Sequence, residues 1–303
     1  MHVTPDYFSH FKCTAAACTH NCCIGWEIDI DESSLRRYKN LDGEMGVRLS
    51  NSISEQDTPH FILQNERCPF LNRHNLCDII TALGETALCD ICKEHPRFHN
   101  ALPGRIESGL GLCCEAAGAL ILGQKEPMRL ICDGTSETQD DIILLRDKVL
   151  TVLQDRRYTL ADRLEQMLVL CETRLPEISD NTLGELFLSL ERLEAGWEAR
   201  LQSMRAPTAA FGGHMSERQS EYEQLCVYLI YRHFANAATL SEAAAVACFT
   251  AVAYRLLYTL GASQFETTGV FTFADQVELC RQFSAEIEYS DENLERLLTL
   301  FLQ

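Results

Sequence analysis

Basic residues are scarce in this sequence. It has 26 lysines and arginines against 44 aspartates and glutamates, so its formal net charge is −18. Proteins that bind nucleic acid draw much of their affinity from lysine and arginine contacts to phosphates. The deficit therefore argues against nucleic acid as a partner. A solvated acidic surface is the plainest interpretation, although the acidity also suits a cationic partner.

Targeting and membrane signals are missing as well. The N-terminal stretch MHVTPDYFSHFKC has neither the basic region nor the apolar stretch of a signal peptide. The sequence has no run of about 18 uncharged apolar residues, which a membrane-spanning helix requires. We therefore expect a cytoplasmic protein with no membrane span and no membrane partner.

Cysteine, in contrast, is abundant and unevenly placed. Eleven of the 15 cysteines lie within the first 132 residues. A reducing compartment keeps thiols free, so dense cysteine there indicates metal binding or thiol catalysis rather than a disulfide framework. Ten of these cysteines form four groups: Cys13, Cys18, Cys22 and Cys23; Cys68 and Cys77; Cys89 and Cys92; and Cys113 and Cys114.

The grouping predicts a soft metal held by thiolates from separate loops. Four thiolates bind an iron–sulfur cluster or a structural zinc ion. The first group has the spacing Cys-x4-Cys-x3-Cys-Cys, which matches neither the common ferredoxin run nor a zinc finger, so spacing leaves iron and zinc both open. A weaker alternative is a redox-active thiol pair at Cys89-x2-Cys92.

The predicted fold class is mainly α, in two domains. Residues 1–132 are rich in turns and predict a loop-rich cysteine domain stapled by metal, with short helices over Asp31 to Lys39 and Leu76 to Cys89. Residues 133–303 predict an α-helical bundle. Its signals include a capping box at Thr159 and Asp162 and a central buried helix from Ser241 to Gly261. The remaining cysteines, Cys171, Cys226, Cys248 and Cys280, fall in apolar helical patterns and are expected to be core or surface bystanders.

Three stretches of the sequence resemble a known family. They are FKCTAAACTHNCCIGWEIDID, CPFLNRHNLCDIITALGETALCDICKEHPRF and GLGLCCEAAGALIL. They look like the signature blocks of bacterial flagellin lysine-N-methylases, which are related to cysteine-cluster proteins described as zinc- or iron-chelating. The resemblance covers roughly residues 7 to 123 and continues weakly in LCVYLIYRHFANA.

The resemblance implies an iron–sulfur-dependent enzyme, with a 4Fe-4S cluster, that moves a methyl group from S-adenosylmethionine to lysine ε-amines of flagellin. The alternative is a non-catalytic zinc- or iron-binding module. Residues 133–303 would then be a possible flagellin-docking platform. The cysteines that match the family's blocks are the expected metal ligands: Cys13, Cys18, Cys22, Cys23, Cys68, Cys77, Cys92 and Cys114.

Two departures from the family pattern concern the ligands. Cys89 stands where the family more often has serine, which argues against its being a core ligand. The last block lacks the usual proline and gains Cys113, so Cys113 and Cys114 could exchange roles. The chain is also short for the family.

The cofactor site has no familiar motif. A GxGxxG loop and the Cys-x3-Cys-x2-Cys run of radical S-adenosylmethionine enzymes are both absent. Arg97 could pair with a cofactor carboxylate or form a helix-end or core-edge salt bridge, and Trp26 could stack on adenine or pack against the cluster loop. Catalytic residues stay unknown. Carboxylates that could accept the lysine proton, none assigned as base, are Glu27, Asp29, Asp78 and Glu115.

Overall fold

The computed structural model describes residues 1–134, 140–175 and 177–302. The fold is mainly α, as predicted, with 55% helix and a small sheet. The helices of the described residues are α1 Glu32–Lys39, α2 Gly43–Asn51, α3 Asp78–Leu83, α4 Asp90–Glu94, α5 Glu115–Leu122, α6 Asp141–Leu153, α7 Leu160–Leu170, α8 Asp180–Leu188, α9 Trp197–Gln202, α10 Ala209–His214, α11 Gln219–His233, α12 Leu240–Thr268, α13 Phe273–Phe283 and α14 Asp291–Phe301. The strands are β1 His2–Pro5, β2 Ile53–Ser54, β3 His60–Phe61, β4 Arg97–Leu102, β5 Arg105–Leu110 and β6 Leu130–Cys132.

Two compact units divide the chain. The helical unit comprises Met1–Phe11 and His99–Gln303, and the inserted unit comprises Lys12–Phe98. This division differs from the boundary predicted at 132/133. The reason is that β1 pairs with β5 and β6, which brings the segment from His99 to Cys132 into the helical unit.

The sheet of the helical unit has the strand order β4-β5-β1-β6. Strand β1 runs parallel to β5, with His2 opposite Ile106, and antiparallel to β6, with Val3 opposite Cys132. Helix α11 is tied to this sheet because the Tyr231 hydroxyl donates to the carbonyls of Val3 at 3.2 Å and Ser108 at 3.1 Å.

Helix α12 is the long buried helix of this unit, but it extends beyond the predicted bounds. Thr239 caps its start and Gly269, at φ +75°, ends it. The predicted stop at Gly261 is wrong: a Cβ there would lie only 3.0 Å from the Phe271 ring and 3.1 Å from the Tyr222 hydroxyl. Gly261 therefore lies inside the helix, where the missing side chain leaves room for these rings to pack, and it does not end the helix.

By length and composition alone, α12 could cross a membrane. However, 78% of its apolar window is buried inside the protein, as in the core helix of a soluble protein. The helix packs against α11 and α14. The expected absence of a membrane span stays a prediction.

The inserted unit has a small core of its own. Tyr38 of α1, Leu49 of α2 and Phe61 of β3 are fully buried there and pack with Phe70, whose ring centre is 5.1 Å from that of Phe61. Helix α1 follows the prediction. The predicted helix from Leu76 to Cys89 is divided, because Gly84 adopts φ +85° at the end of α3.

Candidate metal centre

Six cysteines of the inserted unit lie close together, five at its core and the exposed Cys22 beside them. Five of them pack into one apolar cluster, in which Cys68 and Cys89 are buried and Cys23, Cys77 and Cys92 are partly buried. The sixth thiol, that of Cys22, is hydrogen-bonded to the Cys23 thiol. We call these six residues the thiol cluster: Cys22, Cys23, Cys68, Cys77, Cys89 and Cys92.

Backbone hydrogen bonds bring the first two loops of the thiol cluster together. The amide of Cys68 donates to the Cys23 carbonyl at 2.8 Å. Cys68 and Cys77 lie on a turn that closes where Leu71 pairs with Cys77. Arg48 of α2 holds this turn, because its guanidinium donates to Asp78 at 2.6 Å and to the Pro69 carbonyl at 2.5 Å.

Asp31 positions the third loop. One carboxylate oxygen of Asp31 caps α1 by accepting from the Ser34 amide at 2.8 Å, and the other accepts from the Asp90 amide at 3.0 Å. Asp90 is the first residue of α4, directly after Cys89. One side chain therefore joins α1 to the helix that carries Cys92.

Asp31→Ala is expected to destabilise the inserted unit by about 1–2 kcal/mol, since it removes a helix cap and the link to α4. Guanidinium chloride unfolding of the variant measures this loss. Asp42→Ala is the matched control, because Asp42 precedes α2 without a side-chain cap. An equal loss in both variants would contradict the assigned role.

The thiols influence one another electrostatically. A hydrogen bond from Cys23 lowers the pKa of Cys22 to about 7, whereas this bond and burial raise the pKa of Cys23. The pair Cys89 and Cys92 repeats the pattern: their hydrogen bond lowers the pKa of Cys89 and raises that of Cys92. Burial raises the pKa of Cys68 to about 11.

Negative charge on one thiol also opposes ionisation of its neighbours, and the Cys68 and Cys77 charges both raise the pKa of Cys23. A cation bound among these sulfurs would relieve that repulsion and release protons. The arrangement thus suits thiolate ligation of a metal.

The other expected ligands lie in different surroundings. Cys13 is exposed, and its sulfur accepts from the Ala15 amide at 3.4 Å. The Cys18 thiol donates to the His20 carbonyl at 3.2 Å. Cys114 belongs to the helical unit. Conversely, Cys89, which the resemblance argued against, lies in the thiol cluster.

Two geometric features of the cysteines bear on metal binding. No disulfide links the cysteines of the described residues. Within those same residues, no three His, Cys, Asp or Glu side chains are arranged to hold a single metal ion. The donor chemistry nevertheless fits an iron–sulfur cluster, which takes four cysteine thiolates, and six are gathered here.

Trp26 and Arg97, the expected cofactor residues, both contact the C-terminal end of α4. The Trp26 ring meets the His95 ring edge-on, with centres 6.2 Å apart. The Arg97 guanidinium donates to the Lys93 carbonyl at 3.3 Å. Both side chains are partly exposed, and their roles stay predictions.

The carboxylates considered as proton acceptors fall into two kinds. Glu27 and Asp29 are exposed. Burial raises the pKa of Asp78, but hydrogen bonds from Asn72 and Arg48 outweigh it and hold that pKa below its ordinary value. Asp78 is therefore a poor base at neutral pH and a structural partner of Arg48 instead.

A second polar site, which the sequence patterns did not indicate, lies in the helical unit. Glu288, fully buried in a five-residue π-helix, accepts from the Tyr228 hydroxyl at 3.0 Å and contacts His233 Nε2 at 2.7 Å. Arg232 lies 3.4 Å from the same carboxylate. Burial raises the pKa of Glu288, but Arg232 and His233 outweigh this and lower it. We call Tyr228, Arg232, His233 and Glu288 the Glu288 network.

The part of the chain that contains this network matches a known protein family. Residues 172–303 match the family described as the FliB lysine N-methylase C-terminal domain. The C-terminal part of the chain is therefore similar to the FliB lysine N-methylase family. The Glu288 network lies wholly inside this matched region, whereas the thiol cluster lies outside it.

Individual relatives match over 134 residues, or 42% of this chain. The flagellar biosynthetic protein FliU of Salmonella muenchen is 26% identical, and the match covers 79% of its length. The lysine-N-methylases of Salmonella choleraesuis and Salmonella typhimurium are 26% and 25% identical, and in each the match covers 33% of the relative. The match thus spans about a third of each curated lysine-N-methylase. No solved structure matches the chain.

Proposed function

We propose that this protein is an iron–sulfur-dependent protein lysine N-methyltransferase that transfers a methyl group from S-adenosylmethionine to lysine ε-amines of flagellin. The FliB-family C-terminal region supports the lysine methylation, and the flagellar names of the relatives support flagellin as substrate. The single observation that carries the iron–sulfur part is the convergence of six thiols in the inserted unit.

The ligands would come from the thiol cluster, which offers more than the four thiolates that a 4Fe-4S cluster needs. The two hydrogen-bonded pairs are the readiest donors, because Cys22 and Cys89 have lowered pKa values. Cys13, Cys18 and Cys114 stay predicted ligands. If only three of these thiolates ligated it, the cluster would supply one iron without a cysteine ligand, which could coordinate the sulfonium cofactor.

The chain's own residues would orient the cofactor beside that site. Trp26 offers a ring face and Arg97 a guanidinium, both next to α4. Arg97 could hold the cofactor's carboxylate by paired hydrogen bonds. Transfer also requires a neutral amine, since lysine has a reference pKa of about 10.4. No side chain is assigned as the proton acceptor.

Mass spectrometry of flagellin tests the whole proposal. Flagellin co-expressed with this protein is expected to carry methylated lysines, each methyl adding about 14 Da, and flagellin co-expressed with Cys22→Ala is expected to lack them. Cys171→Ala is the matched control, since Cys171 is a buried thiol of the helical unit. Unmodified flagellin in the wild-type co-expression would refute the methyltransferase assignment.

The second candidate, a non-catalytic zinc or iron module, rests on the same thiols and their apolar packing. The two candidates differ in colour. A brown protein absorbing near 400 nm after anaerobic purification supports the enzyme, whereas a colourless protein with bound zinc supports the module.

A further inference from the structure

The segment Leu112–Cys114 is held at two points, by Tyr228 of the Glu288 network and by the neighbouring Tyr289. The buried amide of Leu112 donates to the Tyr228 hydroxyl at 3.2 Å. The Cys113 side chain is hydrogen-bonded to Tyr289, the residue directly after Glu288. Both contacts lie within the helical unit and join positions more than a hundred residues apart in sequence.

The Tyr228 hydroxyl is the junction of these contacts. It accepts from the Leu112 amide and from Arg232 at 2.8 Å, and it donates to Glu288. A hydroxyl has one donor and two acceptor sites, so this group is fully used and its orientation is fixed. The Arg232 guanidinium also lies over the Tyr289 ring, 4.9 Å from its centre. The polar network is therefore continuous from Glu288 to both contact points.

Cys114 is the last residue of this segment. It is the N-cap residue of α5, and its carbonyl accepts from the Gly118 amide at 2.8 Å. Helix α5 itself packs on α11 and α13. The backbone on both sides of Cys114 is therefore held in place.

We propose that the Glu288 network is a positioning device that fixes the Leu112–Cys114 segment and so presents the Cys114 thiol. Tyr228 and Tyr289 are the positioning residues, and they act through the Leu112 amide and the Cys113 side chain. The FliB-family region then contributes to the thiol chemistry of this protein, beyond serving as a platform for its substrate. The ligand role of Cys114 rests on the proposed function, whereas the positioning itself does not.

Peptide-resolved measurements on the full chain test the positioning without any metal. In Tyr228→Phe, hydrogen–deuterium exchange of the peptide containing Leu112 and iodoacetamide labelling of Cys114 are expected to rise about tenfold, since one buried hydrogen bond limits local opening by roughly that factor. Tyr222→Phe is the matched control. Tyr222 is buried on the same helix, and its hydroxyl has no hydrogen-bond partner among the described residues. Tyr289→Phe provides a second variant at a partly exposed side chain if Tyr228→Phe does not fold.

A spectroscopic measurement separates positioning from general structural support. After anaerobic reconstitution with iron and sulfide, Tyr228→Phe or Tyr289→Phe is expected to change the absorption near 400 nm, and Tyr222→Phe is not. The positioning is overturned if exchange and labelling match those of Tyr222→Phe, and the ligand role of Cys114 is overturned if an iron-loaded variant has the wild-type spectrum. A wild-type protein that takes up no iron would instead refute the iron–sulfur part of the proposed function, and the exchange and labelling results would still decide the positioning.

Discussion

Cys68→Ala is expected to reduce bound iron after anaerobic reconstitution by more than tenfold. Cys68 is the most central thiol: its charge raises the pKa of Cys23 and of Cys92, and the Cys77 and Cys89 charges raise its own. Cys68→Ala therefore removes a sulfur that interacts with cysteines from all three loops. Iron and acid-labile sulfide, assayed per mole of protein, measure the effect.

Cys226→Ala is the control for this experiment. Cys226 is fully buried, like Cys68, but it lies on α11 of the helical unit. Deleting either sulfur leaves a similar small cavity, so both variants lose comparable packing energy. Equal iron contents in the two variants would show that the thiol cluster does not hold the metal.

Glu288→Gln is expected to destabilise the helical unit by about 3–5 kcal/mol, the usual result of breaking a buried ion pair. The substitution leaves the buried Arg232 charge without its carboxylate, although size and some hydrogen bonding are kept. The apparent Tm should fall by roughly 10 °C for a unit of this size. Thermal unfolding followed by circular dichroism measures the shift.

Glu286→Gln is the matched control within the same π-helix. Glu286 is also buried, but it accepts from the amides of Leu193 and Glu194, and burial raises its pKa. A neutral amide oxygen can still accept one of these hydrogen bonds, so we expect a smaller loss. If Glu286→Gln lowers the Tm as much as Glu288→Gln, the ion pair with Arg232 is not the source of the stability.

Acid should reduce the difference in Tm between the wild type and Glu288→Gln. The folded-state pKa of Glu288 lies below its ordinary value, so its stabilisation is present above the unfolded pKa and is lost as pH falls through the folded pKa. Glutamine does not titrate. The two Tm values should therefore converge at low pH.

Local patterns in the sequence predicted several elements correctly. The capping box of Thr159 and Asp162 is present at α7, and α1 begins within the predicted range from Asp31 to Lys39. A capping box is a reliable signal because the cap and the amide that it accepts from are close in sequence. The four cysteines expected to be core or surface bystanders all lie buried: Cys171, Cys226, Cys248 and Cys280.

Features that depend on distant contacts were missed. In the sequence Gly261 looks like a helix C-cap, yet three aromatic side chains from other parts of the helical unit pack against it. The unit boundary depends on β1 pairing with strands a hundred residues later. Likewise, Cys89 joins the thiol cluster because Asp31 holds the start of α4. The family pattern, which more often has serine at this position, did not indicate that Cys89 packs in the thiol cluster.

X-ray absorption at the iron edge, on protein purified without oxygen, is the most direct test of the central claim. We predict iron surrounded by sulfur with further scattering from neighbouring iron atoms, and we predict that both signals disappear in Cys68→Ala. Iron bound only by oxygen and nitrogen, or a wild-type protein without iron, would contradict the claim that these thiols converge to hold an iron–sulfur cluster.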